Sequence, residues 1–285
     1  MDAGAQRFSA NFNKEETINF INSKLQNFSK DKYDKVTFTG DKLVLNYKGS
    51  SSWEYKITDW ADLKSISLDP RESGLDANLF LDFKKRSIEE KKADGLSQNI
   101  DSIVILYLIF KEKDEDLEAA FIHLSRIAIE SKFPGKPSFE ETLKYINGYL
   151  SQIKRVQGDG RIGDFGNFYS YENINAKLSE SELSINDFEL TVSFYHMNKK
   201  QTFAINLREI VSLRPMVKKS DEVGAAKTHF IGFYKAGQDE ETNKYLPLFY
   251  AQTSNSGEVI VNSQIYKAFN HLRKLCGAPE PLKFD

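Results

Sequence analysis

One stretch of this chain is written twice. "NKEETINFINSKL" (Asn13 to Leu25) returns as "SFEETLKYINGYL" (Ser138 to Leu150), with Glu16 aligned on Glu141 and Thr17 on Thr142. A second pair, "AFIHL" (Ala120 to Leu124) and "AFNHL" (Ala268 to Leu272), closes each copy. A period this long reads as a tandem of domains and not a solenoid, because each copy has a domain's length. Whatever fold satisfies one half must therefore satisfy the other. A chain of 285 residues with 40% hydrophobic content has enough apolar surface for two cores.

Local patterning gives each copy the same element order. The opening segments place Ile18, Ile21 and Leu25, and again Leu143, Ile146 and Leu150, on one helical face. Each starts with a capping box, Asn13 with Glu16 and Ser138 with Glu141. The closing segments repeat the helical period through Leu117, Ala120, Phe121, Leu124 and Ala128, and through Ile265, Ala268, Phe269, Leu272 and Cys276. Gly135 and Gly277 stand past these helices, where glycine accepts a left-handed backbone at low cost. Between the helices the period falls to two. "KLVLNY" (Lys42 to Tyr47) is expected to correspond to "SELSI" (Ser181 to Ile185), and "LFLDFKK" (Leu79 to Lys85) to "FIGFYKA" (Phe230 to Ala236). Such strands with short polar turns predict antiparallel sheet. Lys84 to Asp101 and Lys235 to Lys244 read as solvated loops.

The expectation is an α+β protein of two tandem repeats, each a leading helix, a curved antiparallel sheet or partial barrel, and a C-terminal helix. Residues 1–12 read as a tail, 13–133 as the first repeat, 134–137 as a linker and 138–285 as the second repeat. The break falls in "FPGKPS", whose prolines and glycine end a helix.

The strand series, closed by "DEDLEAAFIHLSRIA" (Asp114 to Ala128) and "NSQIYKAFNHLRKLCG" (Asn262 to Gly277), resembles the pleckstrin-homology-like (PH-like) superfold over nearly the whole chain. The likeness is one of element order, and the leading helices go beyond the minimal pattern. A helix-grip fold is the competing arrangement. The resemblance implies a non-catalytic interaction or scaffold protein that accepts another protein at a sheet edge or beside the closing helix. Binding of a phosphoinositide or membrane surface is the alternative it implies, and an enzyme assembled from distant residues is a third reading.

The apparent motifs for chemistry dissolve on inspection. "GDGRIGDFG" (Gly158 to Gly166) mimics both G-x-G-x-x-G and the kinase D-F-G, and Ala278-Pro279-Glu280 mimics A-P-E. A dinucleotide loop follows a strand and opens a helix, whereas here the order is reversed. A kinase would carry H-R-D and separate its glycine loop from D-F-G by most of a domain. The stretch reads as a flexible connector, with Arg161 a weak anion-binding candidate. His123 and His271 occupy equivalent places in the closing helices, at the edge of the apolar stripe, with a ring nitrogen expected toward solvent. Cys276 reads as a packing thiol. "KEKDEDLE" (Lys111 to Glu118) lacks the alternation and central glycine of a calcium loop. No cofactor or metal is expected.

The remaining ligand candidates are basic: Lys84, Lys85 and Arg86 in the first copy, and Arg214, Lys218 and Lys219 in the second. Phosphoinositide-binding PH-like domains carry such clusters between their first two strands. Here that segment is "FTGDK" in copy one and "ENINAKLSE" in copy two, both poorly basic. A balance of 39 basic against 41 acidic side chains argues against a broad electrostatic footprint for nucleic acid or anionic membrane, and the partner that the resemblance implies is another protein. With a single cysteine, no apolar leader and no apolar run near the roughly 20 residues of a membrane span, the chain reads as cytoplasmic.

Overall fold

The capping boxes set where each half begins. The computed structural model describes residues 7–49, 52–70, 76–108, 114–152, 156–159, 168–181, 185–196, 198–218, 228–235, 248–251 and 264–280. The fold is α+β, and the chain divides into two compact units, 1–134 and 135–285.

In unit 1, helix α1 (Lys14–Leu25) starts where the Asn13 side chain accepts the Glu16 amide and the Glu16 carboxylate accepts the Asn13 amide. It buries Thr17, Phe20, Ile21 and Leu25. Strands β1 (Tyr33–Phe38), β2 (Lys42–Tyr47), β3 (Ser52–Ile57), β4 (Leu63–Pro70), β5 (Asp76–Phe83), β6 (Ile88–Lys91), β7 (Ser97–Ile100) and β8 (Ser102–Leu108) follow, and then helix α2 (Glu115–Glu130). They form two antiparallel sheets, ordered β1-β2-β3-β6-β7 and β4-β5-β8. Among the described residues neither closes into a barrel. The core lies where α2 meets the start of β4. Trp60, in a single 3-10 turn capped by Asp59, stacks on Phe121 with ring centres 5.7 Å apart, and Phe38 sits 5.8 Å from Phe121.

Unit 2 runs α3 (Phe139–Leu150), β9 (Val156–Asp159), β10 (Phe168–Glu180), β11 (Phe188–His196), β12 (Lys199–Asn206), β13 (Ile210–Lys218), β14 (Thr228–Lys235), β15 (Leu248–Ala251) and α4 (Gln264–Leu275). Its sheets are β12-β11-β10-β9 and β13-β14-β15, again antiparallel. The same fixtures recur. Ser138 and Glu141 make the second capping box. Asn22 on α1 donates to the Phe38 carbonyl and accepts its amide, and Asn147 on α3 does the same to Leu178. Asn206 caps a 3-10 turn as Asp59 does. The turns into β2 and β11 contain left-handed Gly40 and Asn186.

Three sequence expectations change. Lys84 to Asp101 is not a solvated loop. It contains the β6–β7 hairpin, with Ser87, Ile88 and Glu90 buried, because "SIEEK" alternates inward and outward although its inward residues include a glutamate. "SELSI" is not the counterpart of β2. It falls in the interval between β10 and β11, partly outside the described residues, while "ENINAKLSE" extends β10. Gly158 and Asp159 are not connector but end β9, which pairs with Phe168–Tyr171; residues 160–166, Arg161 among them, lie outside the described residues. Most of Lys235 to Lys244 does too.

Candidate functional site

The basic candidates are divided between the two units. Lys84, Lys85 and Arg86 occupy the turn from β5 into β6 in unit 1, and this turn is tied to the 3-10 turn beside it. The Lys84 amide donates to the Asp62 carbonyl, Ser87 Oγ donates to the Asp62 carboxylate at 2.7 Å, and Lys85 Nζ stands 3.8 Å from that carboxylate. The neighbouring Asp59 accepts from Lys132 Nζ at 2.7 Å. Burial alone would raise the Asp59 carboxyl. The Lys132 hydrogen bond, the Ala61 amide and the charges of Lys132 and Lys85 outweigh it and hold the group below its ordinary value. The cluster is thus partly neutralised at home.

In unit 2 the Arg214 guanidinium lies 4.5 Å from the centre of the Tyr234 ring, spread over its own sheet. Lys218 ends β13, and Lys219 lies outside the described residues. The turn between β1 and β2, Thr39 to Asp41, holds no basic residue. The interval between β10 and β11, "SELSIND", holds none either and is acidic.

The histidines have a structural task in both units. His123 Nε2 bonds to the Phe12 carbonyl at 2.8 Å, and His271 Nε2 to the Pro137 carbonyl at 2.8 Å. Each carbonyl belongs to the residue just before the N-cap of the leading helix, so Nε2 pins the closing helix to the start of the leading one. Phe8 and Phe12, both half-buried, add to this in unit 1: Phe8 packs on Phe20 and His123, and Phe12 on Phe20, so the end of the expected tail packs against both helices. Ala278-Pro279-Glu280 is a clasp. Gly277, left-handed, ends α4, the Ala278 amide reaches the Arg273 carbonyl, and buried Arg273 donates to the Pro279 carbonyl and pairs with Glu280. Gly135, also left-handed, lies beyond the α2 C-cap Ser131 and not at it. Cys276 is buried, and among the described residues no three His, Cys, Asp or Glu side chains are grouped to hold a metal ion.

The sheet edges of unit 1 differ sharply in how they are guarded. Edge β1 is covered at Phe38 by the Asn22 amide. Edge β7, "SQNI", is short and polar. Edge β4 carries Lys64 and Asp69 and ends in Pro70. Edge β8, "SIVILYL", has no charge and no proline, and among the described strands it pairs only with β5. Part of it is closed: the Leu106 amide donates to Tyr33 Oη at 3.3 Å and the Leu106 carbonyl accepts the Ser29 amide at 3.1 Å. Those bonds show that Leu106 directs its backbone groups away from β5, so Ser102 and Val104, of the same parity, do so too. Val104 is 42% exposed, against 8% for Leu106.

A second feature of unit 1 lies across the inner face of its five-stranded sheet. Tyr33 opposes Tyr47, Leu45 opposes Trp53, and Tyr55 opposes Glu90. The ring centres step across the strands at 5.0 Å from Tyr33 to Tyr47, 5.6 Å to Trp53 and 6.4 Å to Tyr55. Burial above all pushes Tyr47 up to about 12, with the neighbouring Tyr33 adding to it. Tyr55 is raised further, again mainly by burial, then by Tyr47 and by the charge and hydrogen bond of Glu90. At neutral pH these phenols are proton donors and not bases or nucleophiles. Lysines flank the row: Lys32 Nζ is 5.6 Å from the Tyr33 ring centre and Lys92 Nζ 5.0 Å from that of Trp53.

Neither feature was singled out from sequence. The apolar run Ile103 to Phe110 stands out in the sequence, but the exposure of β8 depends on which strand lies beside it. The aromatic row depends on cross-strand register, and Glu90 was hidden in a run that reads as solvated. No protein-family model matches the chain, and no curated protein matches it.

Proposed function

We propose that this chain is a tandem of two PH-like domains acting as a non-catalytic interaction protein, and that unit 1 takes an extended segment of a partner protein as an added strand on β8. The recurrence of the capping boxes, the asparagine clamps, the capped 3-10 turns and the histidine bonds in both units supports the tandem reading. One observation carries the docking reading: β8 is the apolar edge of unit 1 with neither charge nor proline, and its cover by Tyr33 and Ser29 is confined to Leu106, two residues beyond exposed Val104. An exposed Val104 beside outward backbone groups offers main-chain bonds for affinity and apolar contact for selectivity. The turns poor in basic residues disfavour the phosphoinositide alternative.

The test is to select peptides from a random displayed library on the full chain. Bound peptides are expected to protect the Val104 amide from hydrogen exchange. Val104→Pro, tolerable on an edge because its amide points outward, is expected to weaken binding about tenfold or more through the lost strand hydrogen bond. Binding indifferent to Val104→Pro, or protection on another strand, overturns the site. No peptide binding, together with tight salt-sensitive binding to phosphoinositide vesicles, overturns the interaction reading itself.

A further inference from the structure

We infer that the aromatic row of unit 1 is a binding site for an alkylammonium group, seated over Trp53 and against Glu90, with Lys92 as its resident occupant. This inference is independent of the strand-addition reading. The starting point is the Glu90 carboxylate, whose side chain is 7% exposed. A buried carboxylate is costly unless a cation or several donors meet it. Its close partners are neutral: the Tyr55 hydroxyl and the Gln98 amide. The cation nearest it among the described residues, Lys92 Nζ, stands off at 3.8 Å from Oε2, beyond the about 2.7–2.9 Å of a charge-assisted hydrogen bond. Strand geometry keeps it there, because Lys92 follows β6 directly and reaches back along its own strand toward Glu90.

The surroundings are those that recognise ammonium. Trp53 presents its ring to the cation at 5.0 Å, Tyr47 flanks Trp53 at 5.6 Å and Tyr55 at 6.4 Å, and Trp is the strongest of the cation–π partners. Trp53 and Tyr47 are half-buried, so the row is reached from solvent at the same place where the Lys92 side chain, 38% exposed, enters it. A free ammonium lacks the tether. It can keep the ring contact and close on Glu90, provided it displaces Lys92.

That competition gives the inference a test that a merely structural row fails. The protein has two tryptophans, so the full chain gives two indole N–H cross-peaks in a nitrogen-15 correlation spectrum. Titration with tetramethylammonium chloride and, separately, with Nα-acetyl-trimethyl-lysine amide is expected to shift the Trp53 peak. The peak of Trp60, whose indole donates to the Gly40 carbonyl, is expected to stay. Lys92→Ala is expected to tighten binding several-fold, about 3- to 10-fold, by removing the resident cation, and Glu90→Gln to weaken it about tenfold or more. A stronger response to the lysine derivative assigns the ligand to a protein side chain, and an equal response assigns it to small ammonium compounds; both support the site. A Trp53 shift reproduced by sodium chloride overturns it. So does weaker binding in Lys92→Ala, which is remote enough from the core to fold should Glu90→Gln fail to.

Discussion

Asn22 and Asn147 show how much one side chain does in this fold. Each amide satisfies both the N–H and the C=O of one strand residue, Phe38 or Leu178, that has no strand partner on that side. Asn22→Ala or Asn147→Ala leaves two backbone groups to water or unpaired, and each is expected to cost about 1–3 kcal/mol in urea unfolding. Asn→Asp, which keeps the acceptor and loses the donor, is expected to fall between wild type and alanine. Gly40 is constrained twice over. Its φ is +95°, and an added Cβ would lie 2.5 Å from Ile18 Cδ1. Gly40→Ala is expected to destabilise by about 1–3 kcal/mol, and trimming Ile18 to valine is expected to recover only the steric part. Asp59 supplies a pH dependence. Because its folded pKa lies below its ordinary 3.8, its ion pair adds stability above that value, and the contribution fades as pH falls through the folded value. Asp59→Asn keeps the cap on Ala61 and removes the charge. Its urea midpoint is expected to fall less than that of wild type between about pH 5 and about pH 3. Equal acid sensitivity would dismiss the pairing.

At the scale of elements, what was legible in the sequence was what is decided locally. Capping boxes read from Asn13, Glu16, Ser138 and Glu141 mark the helix starts, since both partners lie within one turn. Gly277 was legible for the same reason, and Gly135 was not, because α2 ends well before it. The β6–β7 hairpin was illegible because alternation in "SIEEK" puts a glutamate on the inward face, and pattern reading counts glutamate as surface. Tyr55 and Gln98, brought beside it by pairing, and the charge of Lys92 make that burial tolerable. The helical-wheel position of the histidines is legible in the sequence, but the carbonyl each binds is not, because it comes from far along the chain. His123→Ala is therefore expected to loosen the start of α1 in particular. Hydrogen exchange at the first turn of α1 should speed up well beyond that in the β1–β2 hairpin, and a uniform change across unit 1 would contradict the pinning role.

At the scale of the molecule, two units with the same fixtures need not have the same uses. Each carries its own capped leading helix, its own asparagine clamp and its own buried core, Trp60 and Phe121 in one, Phe233 and Phe269 in the other. Among the described residues, the tyrosine–glutamate row is found in unit 1, while unit 2 buries Arg273 beneath its C-terminal clasp. If each core is sufficient, residues 1–134 alone are expected to unfold cooperatively in urea and to keep the dispersed spectrum that unit 1 shows in the full chain. Asn22→Ala should lower the stability of that fragment as much as it lowers the unit 1 transition in the whole protein. The ammonium response at Trp53 should survive in the fragment unchanged. A fragment that folds yet loses the response would mean that the row needs residues beyond Pro134, and would move the site from a property of one domain to a property of the tandem.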